Sequence, residues 1–192
     1  TVQTISYMPH FISMVVVCGM ITAFCASDGL FNNIIELFGG ERSNLLMNKN
    51  LFYPIYIVSD IWKNLGWDSI IYLAALSGID QEQYEAAKID GANRLQQMFH
   101  ITLPGIMPTV SMLLVLRIGS LLSVGYEKII LLYQPTTYEV ADVISSYVYR
   151  RGLQSGEFSY GTAVGLFNSI VNIILLLTAN KVSKKMGQSG LF

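Results

Sequence analysis

The stretch Glu85-Ala-Ala-Lys-Ile-Asp-Gly-Ala-Asn-Arg-Leu-Gln-Gln-Met-Phe-His-Ile-Thr-Leu-Pro104 decides how this chain is read, together with its lead-in Gly78 to Tyr84. Its residues predict two short helices joined at a glycine. Asp80 is placed to cap the first helix, with Gln83 as the reciprocal partner of a capping box. Ile79 and Tyr84 occupy the two positions of a hydrophobic staple. Gly91 falls where a helix ends in a left-handed residue, a conformation glycine adopts without steric cost. Asn93 is placed to cap the second helix, with Gln96 three residues on. That helix carries Leu95, Met98, Phe99 and Thr102 on one face. Pro104 and Pro108 punctuate the return to an apolar segment.

Glu85, Ala86 and Ala87, then Gly91, then Ile101, Leu103 and Pro104 follow the spacing E-A-A-x3-G-x9-I-x-L-P. This pattern resembles the EAA loop of membrane permeases in binding-protein-dependent ABC importers. An ordinary helical hairpin between two apolar segments is the bland alternative, and seven specified positions at fixed spacing weigh against it. The resemblance implies an all-α integral membrane protein with the bundle of a type I importer permease. It also implies that the loop, about residues 78–104, is cytoplasmic and forms a coupling helix docked in a cleft of an ATP-binding subunit. Glu85, Ala86, Ala87 and Gly91 match the family's coupling positions, and Asp90 and Arg94 are added from their place in the loop.

Composition agrees with a membrane protein. Hydrophobic residues make up 52% of the chain and charged residues only 13%, against roughly 25% charged in a soluble domain. Mean hydropathy is +0.46. The net charge of −1 gives no basic footprint for a nucleic acid. Cys18 and Cys25 share one apolar run and read as small buried hydrophobes. His10 and His100 have no acidic or cysteine neighbours at ligand spacing, so no metal site is expected.

Four spans are predicted, at about 7–26, 52–76, 106–122 and 160–179, in a single transmembrane permease domain covering residues 1–192. Tyr7 to Ala26 is uncharged and about 20 residues long, enough for a hydrocarbon core of ~30 Å. Pro9 is expected near its start. The chain opens at Thr1 without a basic signal-peptide start, and the resemblance implies further spans before it. Ser27 to Leu51 reads as an amphipathic interfacial piece and a loop, or simply as a solvated loop.

The second span carries Asp60, Lys63, Asn64 and Asp68. Charges at membrane depth normally face a bundle interior or a wet cavity. Asp60 and Lys63 are spaced to pair on one helix face, and Gly66 permits a break. With Trp62 and Trp67 nearby, this segment reads either as a polar lining of a transport path or as a shallow interfacial piece. Arg117, in the third span, calls for a carboxylate or carbonyl partner, or snorkels from a tilted helix.

Between residues 125 and 160 lies the longest non-spanning stretch, with a helix expected over Val140 to Arg151. Tyr147, Tyr149, Arg150 and Arg151 gather at its end. The resemblance places this region outside the cell, facing a solute-binding protein; a capped surface helix with basic residues in its last turn is the other reading. In the last span Gly161 and Gly165 form a GxxxG pair that continues into Asn168 and Asn172 on the same face. This pattern serves helix packing or, alternatively, the translocation path. The tail, with Lys181, Lys184 and Lys185, is read as cytoplasmic. Lysine and arginine number five on each side of the membrane in this topology, so the motif and the tail set its orientation.

The function implied is the permease subunit of an ATP-driven importer in the bacterial cytoplasmic membrane. Its partners would be a separate ATPase carrying ATP and Mg, a second permease (a different chain or a second copy) and an extracytoplasmic binding protein. The chain itself has no G-x-x-x-x-G-K-[ST] phosphate loop and is expected to be no enzyme and to bind no cofactor. YMPHFISMVVV near one end and GQSGLF at the other resemble the carbohydrate branch, particularly importers of oligosaccharides or polysaccharide fragments. A secondary transporter or channel half using Asp60, Lys63 and Arg117 as coupling charges is the principal alternative. A membrane enzyme would need a cluster of catalytic groups at one face, which the sequence does not offer.

Overall fold

The structure, a computed structural model, describes residues 2–122, 125–185, 187 and 190–191. Thr1 and, from the GQSGLF tail, Gln188, Ser189 and Phe192 lie outside the described residues. The described chain is all-α, as the apolar periodicity and low charge require. Among the described residues three helical stretches are long and apolar enough to cross a membrane: Met14–Leu37, Arg94–Gly119 and Phe158–Lys185. The protein is a multi-pass membrane protein. Contacts divide it into two compact units, Thr1–Trp67 with Ser123–Leu166, and Asp68–Leu122 with Phe167–Phe192.

In the first unit, the uncharged N-terminal run is not one helix. It forms α1 (Val2–Phe11) and α2 (Met14–Cys25), with Pro9 inside α1 and not at the start of a span. Ser13 opens α2 by accepting a hydrogen bond from the Val16 amide, the usual work of an N-cap serine. The break leaves carbonyls at the end of α1 short of helical partners, although that of Pro9 still accepts from the Ile12 amide. Lys63 takes them. Its ammonium donates to the carbonyls of His10 (2.9 Å), Ile12 (2.7 Å) and Pro9 (3.4 Å). The expected Asp60–Lys63 pair is therefore not formed. A buried ammonium has three protons to satisfy, and a helix C-terminus offers three acceptors with a favourable dipole.

The helix carrying Lys63, α4 (Lys49–Ser77), runs unbroken through Gly66. Glycine is needed there for approach, not for bending. A Cβ at Gly66 would lie 2.0 Å from the Ser6 carbonyl oxygen. The next residue, Trp67, stacks parallel to His10 at 4.5 Å.

Asp60 finds its cation elsewhere. Lys128, on α8 (Tyr126–Leu132), is 1% exposed. Its ammonium donates to the Tyr56 carbonyl at 2.8 Å and to the Asp60 carboxylate at 3.3 Å, and lies 4.4 Å from the Tyr56 ring centre. The same unit holds a core of Cys18, Cys25, Leu46, Phe52, Leu132 and Ala141, and both cysteines are free thiols.

The stretch after α2 forms α3 (Leu30–Leu37) and a loop. Asn32 is fully buried and fixes that loop: its amide donates to the carbonyls of Ala26 and Ser43 and its oxygen accepts from the Ser43 amide. The helix expected over Val140 to Arg151 is interrupted at Asp142, giving α9 (Tyr138–Ala141), α10 (Ile144–Val148) and a π-helical turn, Tyr149–Gln154.

Candidate functional site

The EAA stretch lies wholly in the second unit. Helix α5 (Gln81–Ile89) begins at Asp80, whose carboxylate accepts from the Glu82 amide at 3.0 Å. The reciprocal arm expected from Gln83 is absent among the described residues. Gly91 has φ +80°, the left-handed conformation that the sequence demanded of it. The Ala92 amide then returns to the Ala87 carbonyl at 2.8 Å, closing the end of α5. The second cap forms in full. Asn93 accepts from the Gln96 amide (2.9 Å) and donates its own amide to the Gln96 side chain (2.8 Å).

The second helix does not stop at Pro104. After α6 (Arg94–Gln97) it widens into a π-helical turn, Met98–Thr102, and continues as α7 (Leu103–Gly119). A proline lacks the amide of its turn and clashes with the carbonyl four residues earlier. The wide turn absorbs that mismatch, as π-bulges do. The Leu103 amide accordingly bonds back to Met98, five residues away.

The loop shows a great deal of apolar surface for its size. No residue of α5 is buried. Ile89 is 86% exposed, Leu95 64% and Phe99 57%. Glu85, Ala86, Asp90, Gly91 and Arg94 are exposed as well. Ala87, Asp90, Gly91, Ala92, Gln96 and His100 border a shallow cleft of about 310 Å³ where the two helices meet. Small alanines and a glycine let a partner's backbone approach this cleft. The exposed Ile89, Leu95 and Phe99 supply apolar anchors around it.

Several other polar residues picked out in the sequence have partners within the chain. In the second unit Arg117 bonds the Asp68 carboxylate at 3.0 Å, the carboxylate pairing expected of an arginine at that depth. Asn172 accepts from the Leu122 amide at 3.4 Å. The Asn168 side-chain oxygen is buried with no hydrogen-bond partner among the described residues. In the first unit Trp62 borders an apolar groove with Val17, Phe24, Phe31 and Val58.

Arg150 grips Asp142 through both guanidinium nitrogens (2.9 and 2.5 Å) and lies 4.9 Å from the Tyr138 ring centre. Burial by itself raises the Asp142 carboxyl, but hydrogen bonds from Arg150 and Ser146 outweigh it and hold the group below the usual carboxylate range. Arg151 bonds Glu157 and the Tyr147 hydroxyl. No group of three or more His, Cys, Asp or Glu suited to a metal occurs among the described residues. Sequence reasoning missed Lys128 and Asn32. Only an ammonium or a carboxamide in a predominantly apolar neighbourhood marked them; the partners of Lys128 lie far along the chain, and those of Asn32 are backbone groups across a loop.

Comparison with known proteins gives a consistent family. The family model described as "Binding-protein-dependent transport system inner membrane component" matches residues 1–188. The polygalacturonan/rhamnogalacturonan transport system permease protein YteP of Bacillus subtilis is 48% identical over the whole chain, which covers 60% of that protein. Protein LplB of the same organism is 46% identical with the same coverage. A crystal structure of a bacterial alginate ABC transporter, in complex with an alginate pentasaccharide-bound periplasmic protein, superposes with a TM-score of 0.95. The two are 50% identical across 99% of this chain and 66% of that one. The present chain thus spans about three-fifths of the length of the curated relatives it matches. With a family model covering nearly all of it, the chain belongs to the inner-membrane components of binding-protein-dependent transport systems.

Proposed function

We propose that this chain is the transmembrane permease subunit of an ATP-driven importer that carries a sugar or oligosaccharide into the cell. The observation that carries the reading is the loop from Gln81 to Thr102. It is a capped helix, a left-handed glycine and a second capped helix, with Ile89, Leu95 and Phe99 left exposed around a cleft floored by small residues. Within this reading the loop is the coupling helix, and Glu85, Ala86, Ala87, Asp90, Gly91 and Arg94 face the ATP-binding subunit. That subunit binds and hydrolyses ATP with Mg. A second permease, of the same or a different sequence, completes the pathway, and an extracytoplasmic binding protein delivers the substrate. The loop and the lysine-bearing tail lie in the cytoplasm, and the membrane is the bacterial cytoplasmic one. The spans are the four stretches near residues 7–26, 52–76, 106–122 and 160–179.

The carbohydrate class is supported by relatives named for polygalacturonan/rhamnogalacturonan and alginate transport. Asp60 and Trp62 in one unit, and Arg117, Asn168 and Asn172 in the other, would supply polar or aromatic groups at membrane depth. Lys63, buried and engaged by three carbonyls, holds the end of α1 instead.

The test is co-purification of the ATP-binding subunit with the full-length permease. Replacing Ile89 and Leu95 with Asp should weaken retention about tenfold or more, the scale of losing apolar anchors. Undiminished retention would remove this face from the interface.

A further inference from the structure

Helix α5 has no buried residue, so little holds it at a set angle to the helix that follows. Its far end is joined to that helix through the turn at Gly91. Among the described residues a side-chain hydrogen bond also links the two helices. The Tyr84 hydroxyl lies 2.9 Å from the Thr102 hydroxyl, and the Thr102 hydroxyl lies 3.4 Å from the Gln97 carbonyl. A threonine hydroxyl has one proton. When Thr102 donates it to Gln97, Tyr84 must be the donor to Thr102. The chain of bonds then runs from the phenol of α5 through Thr102 to the carbonyl five residues back, which is the repeat of the π-helical turn. Gln97 adds a brace, its side-chain amide donating to the Ala92 carbonyl at 2.9 Å beside the glycine turn.

The link ends at a mechanically special place. Met98–Thr102 is the π-helical stretch between α5 and α7, and its wide turn ends two residues before Pro104. Next to it, a Cβ at Gly105 would lie 2.8 Å from Ile79 Cδ1, so the start of α7 also packs closely on the lead-in to α5. A wide turn is less regular than the α-helix on either side and is a common point of adjustment. Any displacement of α5 reaches α7 at this turn.

We infer that Tyr84 and Thr102 are positioning residues, which make α5 and the start of α7 move as one body when the ATP-binding subunit pushes on the loop. The inference rests on the coupling role proposed above. Without the hydroxyl pair, α5 would pivot about Gly91 and the push would be spent in that pivot. One neutral hydrogen bond changes such an equilibrium by about two- to tenfold, so the pair tunes coupling without being needed for folding.

The experiment uses the complete importer in nanodiscs, with the full-length permease, its partner permease and the ATPase. Spin labels at Glu82 and Ser111 report the distance between α5 and α7, read without nucleotide and after trapping with ATP and vanadate. The unmodified pair should give the same narrow distribution in both states. Tyr84→Phe and Thr102→Val should each broaden it in the trapped state, the double variant no more than either alone. Thr102→Ser should restore the narrow distribution. A structural contact alone would not produce a nucleotide-dependent difference or rescue by serine. A narrow trapped distribution in Tyr84→Phe, or a change on trapping in the unmodified pair, overturns the inference. ATPase retention is measured in the same samples. Loss of retention from the unmodified complex would refute the coupling role itself, whereas intact retention with an unaltered Tyr84→Phe distribution refutes only the hydroxyl link.

Discussion

At the scale of single residues, the clearest lesson is how buried cations are accommodated. Lys63 and Lys128 both use backbone carbonyls, and each was unreadable in its local sequence because its partners come from another part of the chain. Asp60 and Lys63 three residues apart suggested a pair, but burial made the orphaned end of α1 the better partner. Lys63→Met should leave those carbonyls unsatisfied and destabilise the protein by about 1–3 kcal/mol. Thermal unfolding in detergent checks this, and an unchanged midpoint would contradict the role. Gly91, in contrast, was legible, since its place after a capped helix requires a positive φ. Gly91→Pro fixes φ near −65° and should leave the protein in the membrane while uncoupling ATP hydrolysis from transport. Unchanged coupling would dismiss that role.

Asp142 offers a pH test at the same scale. Its carboxyl titrates lower in the folded chain than in the unfolded one, so the folded state is favoured wherever the group is ionised. That contribution is complete above the unfolded value, about 4, and disappears as pH falls through the lower folded value. Asp142→Asn should therefore flatten the dependence of stability on pH in the acid range. An acid limb identical to that of the parent would show that Asp142 does not shape it.

Among the elements, the EAA loop was the most readable because caps and glycines are local signals. The Asn93–Gln96 box formed in both arms, while the Asp80 cap formed without Gln83. The continuation through Pro104 was not readable. Proline marks a missing amide, but whether the helix stops or widens depends on what packs beside it. The break between α1 and α2 has signals in Pro9 and Ser13, yet an uncharged run of spanning length concealed it. The last helix shows how a motif resolves into unequal parts. Gly161 faces Gly152 so closely that a Cβ there would lie 3.3 Å from the Gly152 Cα, while a Cβ at Gly165 meets nothing within 4 Å. Gly161→Val should cost about 1–3 kcal/mol through overpacking, and Gly165→Ala should be nearly neutral. Equal effects in unfolding measurements would contradict this division.

For the whole molecule, composition and spacing sufficed for an all-α membrane protein, and the EAA spacing sufficed for its family. The helix Lys49–Ser77 illustrates what remained hidden. It is long enough to cross a bilayer, but its charges set it apart from the three apolar stretches. Those charges were read either as lining a path or as part of a shallow interfacial piece, and some of them are tied up inside the chain. At Arg117 reading and structure coincide, because a carboxylate partner was among those expected and Asp68 supplies it.

The central claim is that residues 81–102 form a cytoplasmic helix pair that engages an ATP-binding subunit. A single cysteine at Ala87, in full-length permease lacking Cys18 and Cys25, tests it most directly by crosslinking to that subunit in membranes. The account predicts a crosslink whose yield changes on adding ATP. Its absence, with expression, assembly and a control crosslink verified, would contradict the account and point to a transporter that works without an ATPase.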